Sequence, residues 1–175
     1  MKELYVFCEY YNEYWPTTYC YKYDFKLNKW SFIASMGINR QKFACTVFEG
    51  KIVVSGGIRK ISGNFERVKS VEAYDRYENI WTCLPDMIEG RADHSLTSMV
   101  NKLYVTAGPL DVTWEVFDSL TRKFTLIRYQ TGIKGIYFNE SSACCVGNKV
   151  VLLIVISDNT YQSVVYDTRN KIFSM

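Results

Sequence analysis

The residues able to do chemistry are few. The 175-residue chain holds one histidine, His94, and six cysteines: Cys8, Cys20, Cys45, Cys83, Cys144 and Cys145. One imidazole cannot make a two-histidine metal site, and no two cysteines have C-x-x-C spacing. No G-x-S-x-G, phosphate-binding loop or H-E-x-x-H run occurs. Cysteine–histidine catalysis needs His94 beside a thiol. Cys45, Cys83, Cys144 and Cys145 instead fall in or near apolar runs, where a thiol serves as a small core hydrophobe. Glu89 and Asp93 lie in a polar stretch and read as solvated surface. With no nucleophile–base pair, the expectation is a protein that is not an enzyme and carries no cofactor or metal.

Composition narrows the partners. Lys and Arg number 21 against 18 Asp and Glu, a net charge of +3, and the basic residues are scattered, so nucleic acid is not expected. The start, Met1-Lys2-Glu3-Leu4, lacks the apolar core of a signal peptide. The longest apolar run, 150–156, is too short to cross a bilayer. The thiols are therefore expected to be reduced, in a cytoplasmic protein without membrane contact.

Positioning falls to strands. Fourteen Tyr, ten Phe and four Trp favour extended structure. An aromatic followed seven residues later by another occurs four times: Tyr23 and Trp30, Tyr74 and Trp81, Phe117 and Phe124, Tyr166 and Phe173. The first members recur at intervals from the forties to about fifty residues, the period of propeller blades. Each is followed by Asp (Asp24, Asp75, Asp118, Asp167), which suits the start of a tight turn. Upstream of each pair is a Lys-led apolar strand, beginning at Lys2, Lys51, Lys102 and Lys149. Gly56 and Gly57 end the second of these, permitting close backbone packing or positive φ. Arg40 and Arg91 stand eleven residues before Lys51 and Lys102. Four short strands per repeat describe one blade. The expected division is 1–36 (a blade lacking its first strand), 37–87, 88–131 and a degenerate 132–175.

This pattern resembles the kelch repeat, best between Arg40 and Met87, where SVEAYDRYENIWTCLPDM is similar to the blade ending of BTB-kelch proteins. The outer copies depart from it: Cys8-Glu9, Ala107-Gly108 and Ile154-Val155 stand at the glycine pair, and Phe138 replaces the arginine. The resemblance implies an all-β fold, a partial kelch-type β-propeller of about three and a half to four blades. It implies a protein-binding role, as substrate receptor for a cullin-RING ubiquitin ligase working with a BTB domain, a domain for which this chain has no room. An actin-binding or scaffold role is the alternative. Six blades need about 300 residues, so one chain is not expected to close such a ring.

Partner contacts are expected on loops. The candidates are Tyr10, Tyr11, Tyr14 and Trp15 in the first copy, and Arg59, Lys60, Phe65 and Arg67 in a long loop, 58–69, of the second. The blade connections add Arg40, Lys42, Arg91, Asp93 and His94. Tyr, Trp and Arg often anchor interfaces. The aromatics of 10–15 serve equally well as packing against a neighbouring blade, and a motif arginine often binds loop carbonyls and carboxylates instead.

Overall fold

The computed structural model describes residues 3–10, 17–106, 113–128, 140–156 and 160–174, and all its regular elements are strands. The first sheet contains β1 (Glu3–Tyr10), β2 (Thr17–Asp24) and β3 (Lys29–Phe32). The second contains β4 (Ala44–Phe48), β5 (Lys51–Ser55), β8 (Val71–Asp75) and β9 (Ile80–Leu84). Between β5 and β8 the chain forms a separate hairpin, β6 (Ile58–Ile61) and β7 (Asn64–Arg67). The third sheet is β10 (Leu96–Met99), β11 (Lys102–Val105), β12 (Thr113–Asp118) and β13 (Lys123–Arg128). The fourth is β14 (Glu140–Val146), β15 (Lys149–Ile156), β16 (Thr160–Asp167) and β17 (Ile172–Ser174). All four are antiparallel meanders in chain order.

The aromatic pairs are cross-strand neighbours in every sheet: Tyr23 opposite Trp30, Tyr74 opposite Trp81, Phe117 opposite Phe124, Tyr166 opposite Phe173. Such pairs contribute about 0.5–1.5 kcal/mol beyond simple area burial. The hairpin geometry explains the spacing. Each Asp carboxylate accepts backbone N–H bonds from the residues two and three ahead, as Asp75 does from Tyr77 at 2.9 Å and Glu78 at 3.3 Å. Asp24, Asp118 and Asp167 repeat the arrangement. The fourth residue after each Asp has positive φ: Asn28, Asn79, Arg122 and Lys171. The donated amides hold the Asp24, Asp75 and Asp167 carboxyls below their usual range, and for Asp118 the Lys102 ammonium is the larger cause.

The register corrects one alignment. Lys51 lies beside Asp75 at 3.2 Å and Lys102 beside Asp118 at 2.5 Å. In the first sheet the residue opposite Asp24 is Glu3, not Lys2, so the motif lysine is absent there. Glu3 is instead served by Lys22 at 3.5 Å and by the Tyr5 hydroxyl at 2.7 Å.

Three apolar layers between sheets form the core. The first joins Tyr5, Phe7 and Cys20 to Val54, Tyr74 and Trp81. The second joins Phe48, Val53 and Ala73 to Leu103, Val105 and Phe117. The third joins Tyr104, Trp114 and Val116 to Val150, Leu152 and Tyr166. Strands β8 and β12 are buried on both faces because a sheet lies on either side. The cysteines mostly do not join this core. Among the described side chains Cys20 is buried, while Cys45, Cys83 and Cys144 are exposed; all are free thiols.

Candidate interaction surface

The site begins at the glycine pair. Gly56 and Gly57 have φ of 61° and 99°. A Cβ on Gly56 would lie 2.4 Å from the Arg91 carbonyl oxygen, and one on Gly57 would lie 2.5 Å from that of Gln41. Only glycine fits this approach and this backbone. The turn ends β5 and swings the chain onto the two connecting segments. Ile58 and Gln41 exchange backbone bonds of 2.7 and 2.9 Å, and the Gly57 amide donates to Arg91 at 2.7 Å. Residues 58–69, expected as a loop, are therefore largely hairpin. Its turn is Ser62-Gly63, both at positive φ.

The hairpin presents polar and aromatic side chains. Arg59 is ion-paired with Glu66, and the Lys60 ammonium lies 5.8 Å from the centre of the Phe65 ring. Phe65 is 58% exposed. Arg67 is exposed, and its carbonyl packs close to Gly90. Beside the hairpin, Lys42 and Asp93 form a 3.0 Å ion pair joining the two connections, each residue at positive φ. Within 58–69, Arg59, Lys60, Arg67 and Lys69 outnumber Glu66, so the segment carries net positive charge.

The structure corrects three candidate contacts. Arg40 and Arg91 are fully buried, and His94 nearly so; none is available to a partner. The Arg40 guanidinium donates to the carbonyls of Gly56 and Ser70, each at 2.9 Å, and pairs with Glu72. Arg91 donates to Glu115 at 2.9 Å and to the Thr113 carbonyl at 2.7 Å. Glu72 also accepts from the Gly37 amide at 2.6 Å, and Glu115 from the Ile88 amide at the same distance. Each pair thus clamps the segment entering its blade. Sequence reasoning missed Glu72 and Glu115. The signal was available: each stands two residues before the aromatic in just the two copies that carry the arginine, where the others have Tyr21 and Val164.

His94 Nε2 lies 2.8 Å from the Ser55 hydroxyl. This resembles a base and its nucleophile, but both groups are sealed from solvent, so no substrate reaches them. Burial, with the charges of Arg91 and Arg40, pushes the imidazole pKa down to about 3. Among the described residues no three His, Cys, Asp or Glu side chains are grouped to hold a metal. No helix among them is long and apolar enough to cross a membrane.

The first-copy candidates are mostly out of view. Tyr11, Tyr14 and Trp15 lie outside the described residues; Tyr10 ends β1, with its side chain undescribed. A cleft of about 380 Å³ separates the first and second sheets, lined by Tyr5, Phe7, Cys45, Val47 and Ile52 among others. It flanks the edge of β1 that has no described partner strand.

Parts of the chain are similar to known proteins. The Kelch motif family model matches residues 40–88. The chain is 38% identical over 71 residues to F-box/kelch-repeat protein SKIP30 of Arabidopsis thaliana, covering 41% of this chain and 19% of that protein. It is 32% identical over 88 residues to Kelch-like protein 6 of Homo sapiens, covering 50% of this chain and 14% of that protein. The matches thus span less than a quarter of these curated relatives. The solved structure of YjhT aligns with a TM-score of 0.65 at 18% identity, over 83% of this chain and 58% of that one, which is a likeness of fold. With one Kelch motif at 40–88 and the same aromatic register in the sheets around it, the fold is that of a partial, all-β propeller of kelch type.

Proposed function

We propose that the chain is a protein-binding module that recognises substrate for a cullin-RING ubiquitin ligase, acting with a BTB-containing segment or chain in the cytoplasm. The observation that carries the binding role is the hairpin β6–β7, which holds Phe65 exposed on the same face as Lys60. An exposed aromatic with the Lys60 ammonium over its ring suits an acidic partner segment with an apolar side chain for Phe65. The kelch-like and F-box/kelch-repeat relatives support the ligase reading. The reading assigns no catalysis to the chain.

Affinity capture of the tagged chain from cells, scored for cullin, BTB proteins and actin, tests it. Recovery of cullin with a BTB protein is the expected result. Recovery of actin or other scaffold proteins without cullin overturns the ligase reading in favour of a cytoskeletal scaffold.

A further inference from the structure

Strand direction gathers seven described hairpin turns at one end of the four sheets, opposite the end where β5 runs into Gly56 and the β6–β7 hairpin. Three are the short turns 49–50, 100–101 and 147–148, and four follow the motif aspartates. Contacts tie them together. The Ser119 and Thr168 amides donate to the carbonyls of Asn101 and Asn148, each at 3.0 Å, and Lys51 reaches Asp75 at 3.2 Å. Between sheets, the Ser98 hydroxyl donates to the Val47 carbonyl at 2.7 Å, and Thr168 Oγ1 lies 3.9 Å from Met99 Sδ. The first sheet joins through Glu3, which stands opposite Asp24 and lines the cleft with Gly50 and Arg76.

The least covered apolar side chains stand on these turns. Val100 is 84%, Tyr77 78%, Leu120 78% and Leu27 73% exposed, the four highest values among the described large hydrophobics. None joins a layer of the core. The backbone does not call for valine either: Val100 holds φ of 53°, where Glu49 and Gly147 stand in the matching turns. A β-branched residue in that conformation is strained, and strain that no packing offsets is a mark of function. Further sheets would lengthen the row and leave its turns uncovered. The same end is basic. The three short turns with the lysine after each, and each motif aspartate with the five residues after it, hold ten Lys and Arg against six Asp and Glu, an excess above the +3 of the whole chain. Four of those six anions are the turn aspartates, whose carboxylates already accept backbone amides. On the second sheet the Arg76 guanidinium lies 4.6 Å from the centre of the Tyr77 ring, so cation and ring share one tip.

We propose that this end docks on an anionic lipid bilayer, with Leu27, Tyr77, Val100 and Leu120 entering the interface and the surrounding lysines and arginines meeting the headgroups. The tips belong to separate sheets, which pack about 10 Å apart, so they form no continuous patch. A soft, flat surface receives such isolated side chains, whereas a protein partner needs a pocket for each. Tyrosine and aliphatic tips partition into the headgroup boundary, and nearby cations add attraction to anionic lipid. A surface contact needs no spanning segment. It also leaves the β6–β7 hairpin, at the far end, free for its own partner.

Co-sedimentation of the full chain with vesicles of phosphatidylcholine, with and without phosphatidylserine, tests the proposal. Binding is expected only where phosphatidylserine is present, and it weakens as salt is raised. Leu27→Ser and Leu120→Ser each lower the partition coefficient about tenfold. Lys26→Gln and Arg169→Gln together lower it about thirtyfold. Val100→Asn separates docking from folding: it suits the positive φ, so it raises the melting temperature while weakening binding. Absence of binding to either vesicle, equal binding to both, or variants that bind like the wild type while folded by circular dichroism would overturn the proposal. Capture of the chain by immobilised polyglutamate without vesicle binding would also overturn it, assigning this end to an acidic protein.

Discussion

In the second sheet β5 stops at Ser55 and the chain turns at Gly56 and Gly57; in the fourth, Ile154 stands at the place of Gly56 and β15 runs on to Ile156. The strands that follow differ accordingly: β8 has five residues and β16 has eight. Without the glycine pair the fourth hairpin stays straight, and Ile154 packs in the layer against the third sheet. With it, the hairpin breaks and its outer half folds over the blade connections. The exposed hairpin that carries Phe65 is a consequence of that break, so one dipeptide separates a sheet with continuous strands from one whose outer half is a separate hairpin.

The two sheets differ in charge as well. The second and third bury an arginine against a glutamate, Arg40 with Glu72 and Arg91 with Glu115. The fourth has buried Val164 at the glutamate position and Phe138, outside the described residues, at the arginine position. Both members are replaced together, as expected where one buried charge without the other is costly.

The largest expected effect breaks that pairing. Arg91→Met strands the buried Glu115 carboxylate and lowers unfolding free energy by about 3–5 kcal/mol in urea melts. The double variant Arg91→Met, Glu115→Val, which copies the fourth sheet's chemistry, recovers most of the loss. If the double variant is no more stable than the single one, the difference between the sheets lies elsewhere.

Next in size is Gly56→Ala. The added Cβ meets the Arg91 carbonyl in a left-handed backbone, costing about 2–3 kcal/mol. Protease cleavage within 58–69 should rise in parallel as the hairpin detaches from its bridge to Gln41.

A pH series separates the buried dyad from the surface. The His94 pKa in the folded chain is depressed to about 3, against about 6.5 when unfolded. Its stabilisation is therefore present above the unfolded value and lost as pH falls from there toward 3, at up to about 1.4 kcal/mol per pH unit. His94→Gln should flatten the slope from about pH 6.5 to pH 5, above the range where the turn aspartates titrate. An unchanged slope would mean that the imidazole is not held neutral. The smallest expected change is a gain: Arg122→Gly relieves a positive φ and raises stability by about 0.5 kcal/mol.

Repeating local chemistry was legible in the sequence. The four aromatic pairs and their Asp turns are set by contacts within one hairpin, so spacing alone revealed them. The hairpin β6–β7 was read as a loop because both its strands are solvent-facing and carry no apolar alternation, although Ser62-Gly63 was a turn signal. His94 was read as a partner contact, and Arg40 and Arg91 were left between that role and a bond to loop carbonyls and carboxylates, because the carboxylates and hydroxyl they meet lie 24 to 39 residues away. A charge that finds its counter-ion across a blade cannot be placed by local pattern. The thiols misled for a similar reason: Cys45, Cys83 and Cys144 sit in strands, but on exposed positions of them.

The central claim is that the broken hairpin of the second sheet is the recognition surface. Its most direct test is quantitative capture from cells by the wild-type chain and by a Lys60→Glu, Phe65→Ala variant, with melting temperatures matched. The account predicts that the variant folds as before and loses most of the specifically captured protein. Equal capture of the same partners by both chains would contradict it and move recognition to another face.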